Sequence, residues 1–174
     1  MIGQIINWVY CLPIRDAVAV ALLISGGFFG LQYHFGCRRW WKSVTVMLLI
    51  CWAGAVLACT VLDRSEEGAT ASLIPLQTYV TVYQGGSEEL LRSAFMNVLL
   101  FYPGGLLLLS VFPKWKWWLV AAGFVAASVG IELCQYCFRL GYAEVDDVLH
   151  NTLGALLGIA AFRQFQKYNK IPKG

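Results

Sequence analysis

Two stretches of the chain, residues 43–62 and 93–112, contain no charged side chain and consist largely of apolar residues. A helix that crosses a bilayer needs about 20 consecutive apolar residues, so each stretch is long enough to span a membrane. Three further apolar stretches lie at 17–33, 117–138 and 145–162, and the last has the shortest uncharged core. Hydrophobic residues make up 59% of the sequence, which is too many for an ordinary soluble domain. We therefore predict an all-α fold, a polytopic transmembrane helical bundle of about five spans.

The charged residues between these predicted spans fall into two groups. The loops at 34–42 and 113–116 and the C-terminal tail contain basic residues and no acid, whereas the other flanks contain nearly all of the acids. Basic flanks stay on the cytoplasmic side, so the N-terminus is predicted outside and the C-terminus in the cytoplasm. Residues 1–13 are too short to span and are predicted to form an interfacial helix. Residues 1–174 then form a single membrane domain.

Two polar helix faces meet across a short polar turn in the last third of the chain. On the fourth predicted span, Glu132, Gln135 and Arg139 are spaced i, i+3 and i+7, which places them on one helix face. The fifth predicted span carries a second such face, formed by Asp147, Asn151, Gly154 and Gly158. A charge at the centre of a membrane helix costs about 2.5–3.5 kcal/mol, so a chain that keeps Glu132 there is expected to use it.

The third predicted span contains an intramembrane amide, Asn97, and then Pro103, which removes a backbone hydrogen bond and kinks a helix. Two interpretations stay open: a packing kink with Asn97 bonded to a neighbouring helix, or one wall of a polar cavity. Glu132 has two interpretations as well. It is either a protonated structural group bonded to Asn97, Gln135 or Asn151, or a group that handles a substrate, an ion or a proton.

The sequence Asp146-Asp147-x-x-His150 permits a metal site as a minor alternative. Asp146 and His150 are four residues apart and could share a metal with Glu132, but zinc and hard-metal sites need more ligands than this pattern guarantees. We predict no metal and no other cofactor. Asp147 is instead expected to cap or orient the fifth helix, and His150 to face the outer membrane interface.

Two short spacings in the same region have further interpretations. Gly154 and Gly158 form a small-xxx-small pattern, which lets helix backbones approach closely. Packing of the fifth helix against the fourth or the third is favoured over a dimer interface. Cys134 and Cys137 have the spacing of membrane thiol oxidoreductases, but such enzymes need a second exchange pair and the 63–92 loop has no cysteine. That activity is a minor alternative.

The long loop at 63–92 shows local patterns of its own. Residues 72–76 are apolar and contain a proline, and residues 78–83 alternate small and aromatic side chains, which predicts an extended segment. Gly85-Gly86 ends that segment. Ser87 is predicted to cap the third helix, because two glutamates follow it and acids are favourable in a first helical turn.

Several of these segments together resemble the VanZ-like family. The resemblance lies in Asn97-Val-Leu-Leu-Phe-Tyr-Pro-Gly-Gly-Leu-Leu107, Glu132-x-x-Gln135, Asp147-Val-Leu-His-Asn-Thr-Leu-Gly154 with Gly158, and Ser72-Leu-Ile-Pro-Leu76. The resemblance covers residues 60–162. It is specific because all of these segments occur together in one chain. By match of motif, the family's polar positions fall on Asn97, Glu132, Gln135, Asp147 and Asn151. Many relatives carry an arginine where this chain has Gly141, with Arg139 two residues earlier, and that departure puts an arginine-dependent ligand role in doubt.

The resemblance implies a small multi-pass protein of the bacterial cytoplasmic membrane. The family's namesake is associated with low-level resistance to teicoplanin, a lipoglycopeptide that binds cell-wall precursors. We expect an outward-facing pocket between the third, fourth and fifth helices that binds a polar lipid head or a lipophilic antibiotic. Its expected ligand-binding residues are Asn97, Glu132, Gln135, Asp147 and Asn151, with Pro103, Gly105, Gly154 and Gly158 in structural roles.

The expected partners are membrane lipids and either a lipoglycopeptide antibiotic or a lipid-linked cell-wall precursor. Nucleic acid is not expected, because no basic tract interleaved with aromatic residues occurs. One rival hypothesis is a membrane-embedded enzyme with Glu132 as acid or base and Asp146, Asp147 and His150 as a metal or proton relay. The sequence favours a non-enzyme, since it has two histidines and no Ser-His or HExxH arrangement. A second rival is a small carrier or assembly partner, joined through its glycine pattern. The sequence leaves the oligomeric state open.

Overall fold

The computed structural model of the chain describes residues 27–28, 30–31, 39–57, 60 and 68–168. This part of the chain is mostly helical and contains two short strands. In chain order the elements are α1 (Arg39–Leu57), β1 (Gly68–Ser72), α2 (Gln77–Tyr83), α3 (Glu89–Val111), α4 (Trp117–Cys137), β2 (Leu140–Glu144) and α5 (Val145–Tyr168). The predicted interfacial helix at 1–13 lies outside the described residues, as does most of the first predicted span.

Two helices, α3 and α4, are long and apolar enough to cross a membrane. They contain 23 and 21 residues, and such helices measure about 35 and 32 Å, against a hydrocarbon core of about 30 Å. In α1, Lys42–Leu57 is a shorter apolar helix. α5 begins at Val145, as predicted, and continues to Tyr168, past the predicted end at residue 162. The mostly helical fold is confirmed, whereas the number and direction of the spans stay predictions.

Close packing of α3 against α5 forms the centre of the molecule, and glycines make it possible. A Cβ built on Gly154 would overlap the backbone carbonyl of Val98, and one on Gly158 would overlap that of Tyr102. In the other direction, a Cβ on Gly105 would overlap a backbone carbonyl of α5. Any larger residue at these positions must push the two helices apart. The glycine pattern therefore packs within the chain, against the third predicted span.

Pro103 lies inside α3, and the helix runs through it without interruption. Close to the proline, the indole Nε1–H of Trp52 donates a hydrogen bond of 2.7 Å to the carbonyl oxygen of Leu100. The same indole ring lies against Gly104, where a Cβ would overlap it. α1 thus covers the proline turn of α3 with an aromatic ring and supplies a donor to its backbone.

Next to this contact, α1, α3, α4 and α5 share an apolar core. Trp52, Phe101 and Phe124 meet edge to face, with ring centroids 5.9–6.4 Å apart. The buried residues of this cluster are Val56, Phe101, Leu109, Val120, Phe124, Ile131, Ala155, Ile159 and Phe162. The core fills the space between α1, α3, α4 and α5 and is free of charged residues in the part of the chain described.

A small mixed structure covers the end of the bundle where α3 and α5 begin and α4 ends. β1 and β2 pair in parallel, with Gly68 opposite Leu140 and Ser72 opposite Glu144. The prediction of an all-α fold with a polar turn before the fifth helix is wrong at this point, because residues 140–144 form a strand. We refer to β1, β2, α2 and the connecting residues 73–76 as the end cap.

The prediction of an extended segment at 78–83 is also wrong, because these residues belong to α2. The residue before α2, Leu76, has a left-handed backbone (φ 63°), a conformation that costs a residue with a side chain about 1–2 kcal/mol. Gly85 has φ 92° and turns the chain toward α3. The residue in the cap position of α3 is Glu88, one residue later than the predicted cap Ser87. The Ser87 hydroxyl nevertheless accepts a hydrogen bond of 3.1 Å from the Glu89 backbone N–H.

Candidate functional site

A cavity of about 150 Å³ lies between the end cap and the first turns of α3 and α5. Four elements contribute to its wall, and the groups they present are hydroxyls, carboxylates and a few apolar side chains. The lining residues are Thr78, Leu90, Ser93, Ala94, Tyr142, Glu144 and Asp147. Of the five predicted ligand-binding residues, Asp147 lines this cavity.

Asp146, the residue before Asp147, holds the end cap onto α5. Its side chain is buried, with 2% of its surface exposed. One carboxylate oxygen accepts the backbone N–H of Leu76 at 2.5 Å, and the other accepts that of Thr78 at 2.8 Å. Both amides belong to the first turn of α2, where a helix leaves N–H groups without partners of its own. Asp146 therefore caps α2 from 70 residues away in sequence and fixes Thr78 in the cavity wall.

His150 makes a second link between α5 and α2. The side chain is buried, and its Nε2 lies 2.9 Å from the Tyr79 hydroxyl. The two rings also meet edge to face, with centroids 5.8 Å apart. The prediction that His150 faces the outer membrane interface is therefore wrong, since Tyr79 and the end cap cover it. Among the described residues, no three His, Cys, Asp or Glu side chains are grouped closely enough to hold a metal ion.

Glu132, on α4, holds one of the residues that line the cavity. Its carboxylate is buried and accepts the backbone N–H of Glu144 in a hydrogen bond of 2.9 Å. Glu144 is the last residue of β2 and lines the cavity. Glu132 thus fixes the junction between β2 and α5, which presents both Glu144 and Asp147 to the cavity.

One turn deeper than Glu132, the polar contact between α4 and α5 continues. Asn151 Nδ2 donates to the Ser128 hydroxyl at 2.9 Å, and the two side chains are 3% and 0% exposed. Gln135, also on the inner face of α4, donates to the carbonyl oxygen of Thr60 at 2.8 Å. The amide oxygens Gln135 Oε1 and Asn151 Oδ1 are buried without a hydrogen-bond donor from the described residues. Asn151 therefore lies in the α4–α5 interface and Gln135 contacts residue 60, and neither of them lines the cavity.

Asn97 lies one helical turn below the cavity. It is half-buried in α3, and its spacing from Leu90 and Ala94 (i+7 and i+3) places it on the helix face that lines the cavity. Asp147 lines the cavity, Glu132 binds the backbone of the lining residue Glu144, and Asn97 belongs to the next turn of α3. Cys134 and Cys137 are exposed free thiols at the end of α4.

Four polar lining residues were not selected from the sequence: Thr78, Ser93, Tyr142 and Glu144. Glu144 stands directly before α5 and two residues before the acidic pair, so its position was a usable signal. Tyr142 belongs to β2, which pairs with β1, and Thr78 is held by the Asp146 carboxylate; no local pattern predicted either contact.

The fold and site define a helical protein with apolar helices of membrane-spanning length and a polar cavity at one end of the bundle. The family model described as VanZ/LLP1 matches residues 43–166, and the chain belongs to this family. The chain is also similar to Protein VanZ of Enterococcus faecium, with 31% identity over 77 residues. That match covers 44% of this chain and 48% of the relative, so it extends over about half of the relative's length. No solved structure matches the chain.

Proposed function

We propose that the chain is a multi-pass protein of the bacterial cytoplasmic membrane, with five spans, its N-terminus outside and its C-terminus in the cytoplasm. The charges at the two ends of the bundle support this orientation. The α3–α4 connection contains Lys114 and Lys116 beside Trp115 and Trp117, which is typical of a cytoplasmic boundary. The opposite end contains acids at and just before the starts of α3 and α5, namely Glu88, Glu89, Glu144, Asp146 and Asp147. In this orientation the cavity opens toward the cell exterior.

The cavity is proposed to bind the polar head of a lipid or a lipophilic glycopeptide antibiotic. The observation that carries this proposal is its lining, in which Thr78, Ser93, Tyr142, Glu144 and Asp147 surround a small space beside apolar helices. Hydroxyls and carboxylates accept hydrogen bonds from sugar hydroxyls and amino groups. A ligand with a polar group and an acyl chain can place the polar group in the cavity and the acyl chain in the bilayer.

The size of the cavity limits what can enter. A cavity of about 150 Å³ is large enough for one benzene ring in other proteins. An aminoalkyl group or part of a sugar ring therefore fits, whereas the peptide core of a glycopeptide does not. The proposed complex has one appendage of the ligand in the cavity and the rest above the end cap.

The apolar core favours binding over passage through the bundle. Beyond Ser128 and Asn151, the helices close around Phe101, Phe124 and Ala155. A small carrier would need to open this core, whereas a binding protein would not.

The enzyme hypothesis gains no support from the same residues. Asp146 and His150, which it assigns to a relay, are engaged by the end cap through Leu76, Thr78 and Tyr79. Glu132 holds a backbone amide. These are positioning contacts, and of the residues in that hypothesis Asp147 alone lines the cavity. We therefore propose a non-enzymatic binding function.

Teicoplanin susceptibility of a bacterium that expresses the chain tests the proposal. Asp147→Asn and Glu144→Gln remove the cavity charges with little change of shape, and both are expected to abolish protection. Glu89→Gln is the matched control, because Glu89 is an exposed acid near the same end of the bundle. All variants are compared at equal protein level in the membrane fraction. Full protection by both cavity variants would overturn the proposed ligand site.

Direct binding separates the two ligand classes. Protein in lipid nanodiscs is titrated with teicoplanin and with a glycopeptide that lacks the acyl chain, and intrinsic tryptophan fluorescence is followed. Saturable binding of teicoplanin that Asp147→Asn weakens supports the antibiotic as ligand. Protection in cells without such binding assigns the cavity to a lipid head group. Binding that is unchanged in Asp147→Asn would contradict the cavity as the site.

A further inference from the structure

The end cap is free of charge over a long segment. Residues 68–87 contain no Asp, Glu, Lys or Arg, and acids stand on both sides, at Glu66-Glu67 and Glu88-Glu89. A solvated loop of this length ordinarily contains charged residues, because charged side chains make up about a quarter of a typical soluble domain. The absence of charged residues indicates that this segment lies in an environment where a charged side chain would be unfavourable.

Apolar side chains of this segment point away from the protein. Leu73 and Ile74 are 76% and 63% exposed, and Tyr83 is 93% exposed. On α2, Leu76, Val80 and Tyr83 are spaced i, i+4 and i+7, so they form one exposed stripe. Thr78 is the buried residue of this helix. The end cap therefore has a polar inner side toward the cavity and an apolar outer side without a protein neighbour among the described residues.

The position of α2 along α3 sets its depth. α2 contacts α3, and Thr78 faces Leu90, Ser93 and Ala94 across the cavity. These residues belong to the first two turns of a helix of 23 residues, which is about 5 Å longer than the hydrocarbon core it would cross. Because the uncharged run begins at residue 93, the first turn of α3 lies at the level of the lipid head groups and the second enters the hydrocarbon, and α2 lies beside this boundary.

From this geometry we propose that the end cap rests in the outer head-group layer, with Leu73, Ile74 and Tyr83 inserted toward the acyl chains. The proposal rests on the membrane placement under the proposed function and does not depend on the ligand of the cavity. A lipid surface fits better than a second copy of the chain, because the exposed apolar side chains lie beside the end of α3 that meets the head groups and belong to a segment without charge. Tyrosine in particular is enriched at membrane interfaces, where its ring is buried and its hydroxyl stays hydrated.

Fluorescence of an environment-sensitive label tests this contact. Ile74→Cys is introduced into a full-length chain without its native cysteines, labelled with a nitrobenzoxadiazole dye and reconstituted into phosphatidylcholine–phosphatidylglycerol vesicles. Two matched positions are labelled in the same way. Val125, 38% exposed in the middle of α4, reports the predicted lipid-facing surface of a span, and Glu88, an exposed acid directly before α3, is the polar reference at the same boundary.

The end-cap label is expected to emit at shorter wavelength than the Glu88 label and to lose most of its emission to lipids with a nitroxide near the head group. Iodide should quench it weakly. Strong iodide quenching at Ile74 together with nitroxide quenching at Val125 would overturn the end-cap contact and leave the membrane placement intact. An Ile74 label shielded from iodide but unaffected by nitroxide lipids would indicate a protein neighbour and would also overturn it. Loss of nitroxide quenching at Val125 would refute the membrane placement itself.

Discussion

Removal of the Asp146 carboxylate is predicted to release the end cap from α5. The side chain is buried and accepts two backbone N–H groups, those of Leu76 and Thr78. Asp146→Ala removes both acceptors and leaves two amides at the start of α2 without partners. Leu76 adds to the effect, since its left-handed backbone is held by this contact.

The size of the effect follows from the number of bonds. A hydrogen bond to a charged group contributes about 1.5–3 kcal/mol, so two contribute at least about 3 kcal/mol. The free energy of local opening of α2 should fall by that amount. Since 1.4 kcal/mol is a factor of about ten, amides of α2 should exchange with solvent about a hundredfold faster.

Amide hydrogen exchange of the protein in lipid nanodiscs, read by mass spectrometry over peptides that cover α2, measures this change. The peptides of α3 and α5 serve as the internal reference and should keep their protection, which shows that the variant folds. Glu88→Ala is the matched control, because it removes an exposed acid near the same end of the bundle. Unchanged exchange of residues 76–83 in Asp146→Ala would refute the role assigned to the carboxylate.

Further predictions concern the packing of the bundle. Gly158→Ala should lower the melting temperature relative to Gly130→Ala. Both substitutions gain the same helix propensity, but a Cβ overlaps the α3 backbone at Gly158 and has nothing within 4 Å at Gly130. Equal shifts of the melting temperature would contradict this packing. Ser128→Ala and Asn151→Ala should each lower the free energy of unfolding, measured with denaturant, by about 1–3 kcal/mol. The double variant should lose less than the sum of the two, and a strictly additive loss would argue against their hydrogen bond. Trp52→Phe keeps an aromatic ring and removes the indole donor, so it should cost about 1 kcal/mol by the same measurement, and no change would show that the donor contributes nothing.

The sequence predicted the long helices well because their signals are local. Uncharged apolar runs set the extent of α3 and α4, and the start of α5 at Val145 follows from the acids of its first turn. The end cap could not be predicted in the same way. β1 pairs with a strand about 70 residues later, and neither strand shows an alternating pattern that would specify a partner. Residues 78–83 do alternate, but they form a helix, because Asp146 caps its first turn from another part of the chain.

The candidate site was predicted in part. Asp147 lines the cavity and Glu132 binds the backbone of the lining residue Glu144, and helical spacing had placed both residues on polar helix faces. Spacing could not decide between the neighbouring acids Asp146 and Asp147. Only the position of α2 shows that the first is an anchor and the second lines the cavity. The same contact buries His150, which a sequence pattern alone places at the surface.

The proposed function requires a cavity that opens to the cell exterior, and the accessibility of introduced cysteines measures the side to which it opens. Ser93→Cys lines the cavity, and Lys114→Cys is exposed at the opposite end of α3. Each is placed in a chain without its native cysteines and treated with a membrane-impermeant maleimide. We predict that intact cells label Ser93→Cys and that Lys114→Cys reacts only after the membrane is opened. Labelling of Lys114→Cys in intact cells, with Ser93→Cys protected until lysis, would contradict the account.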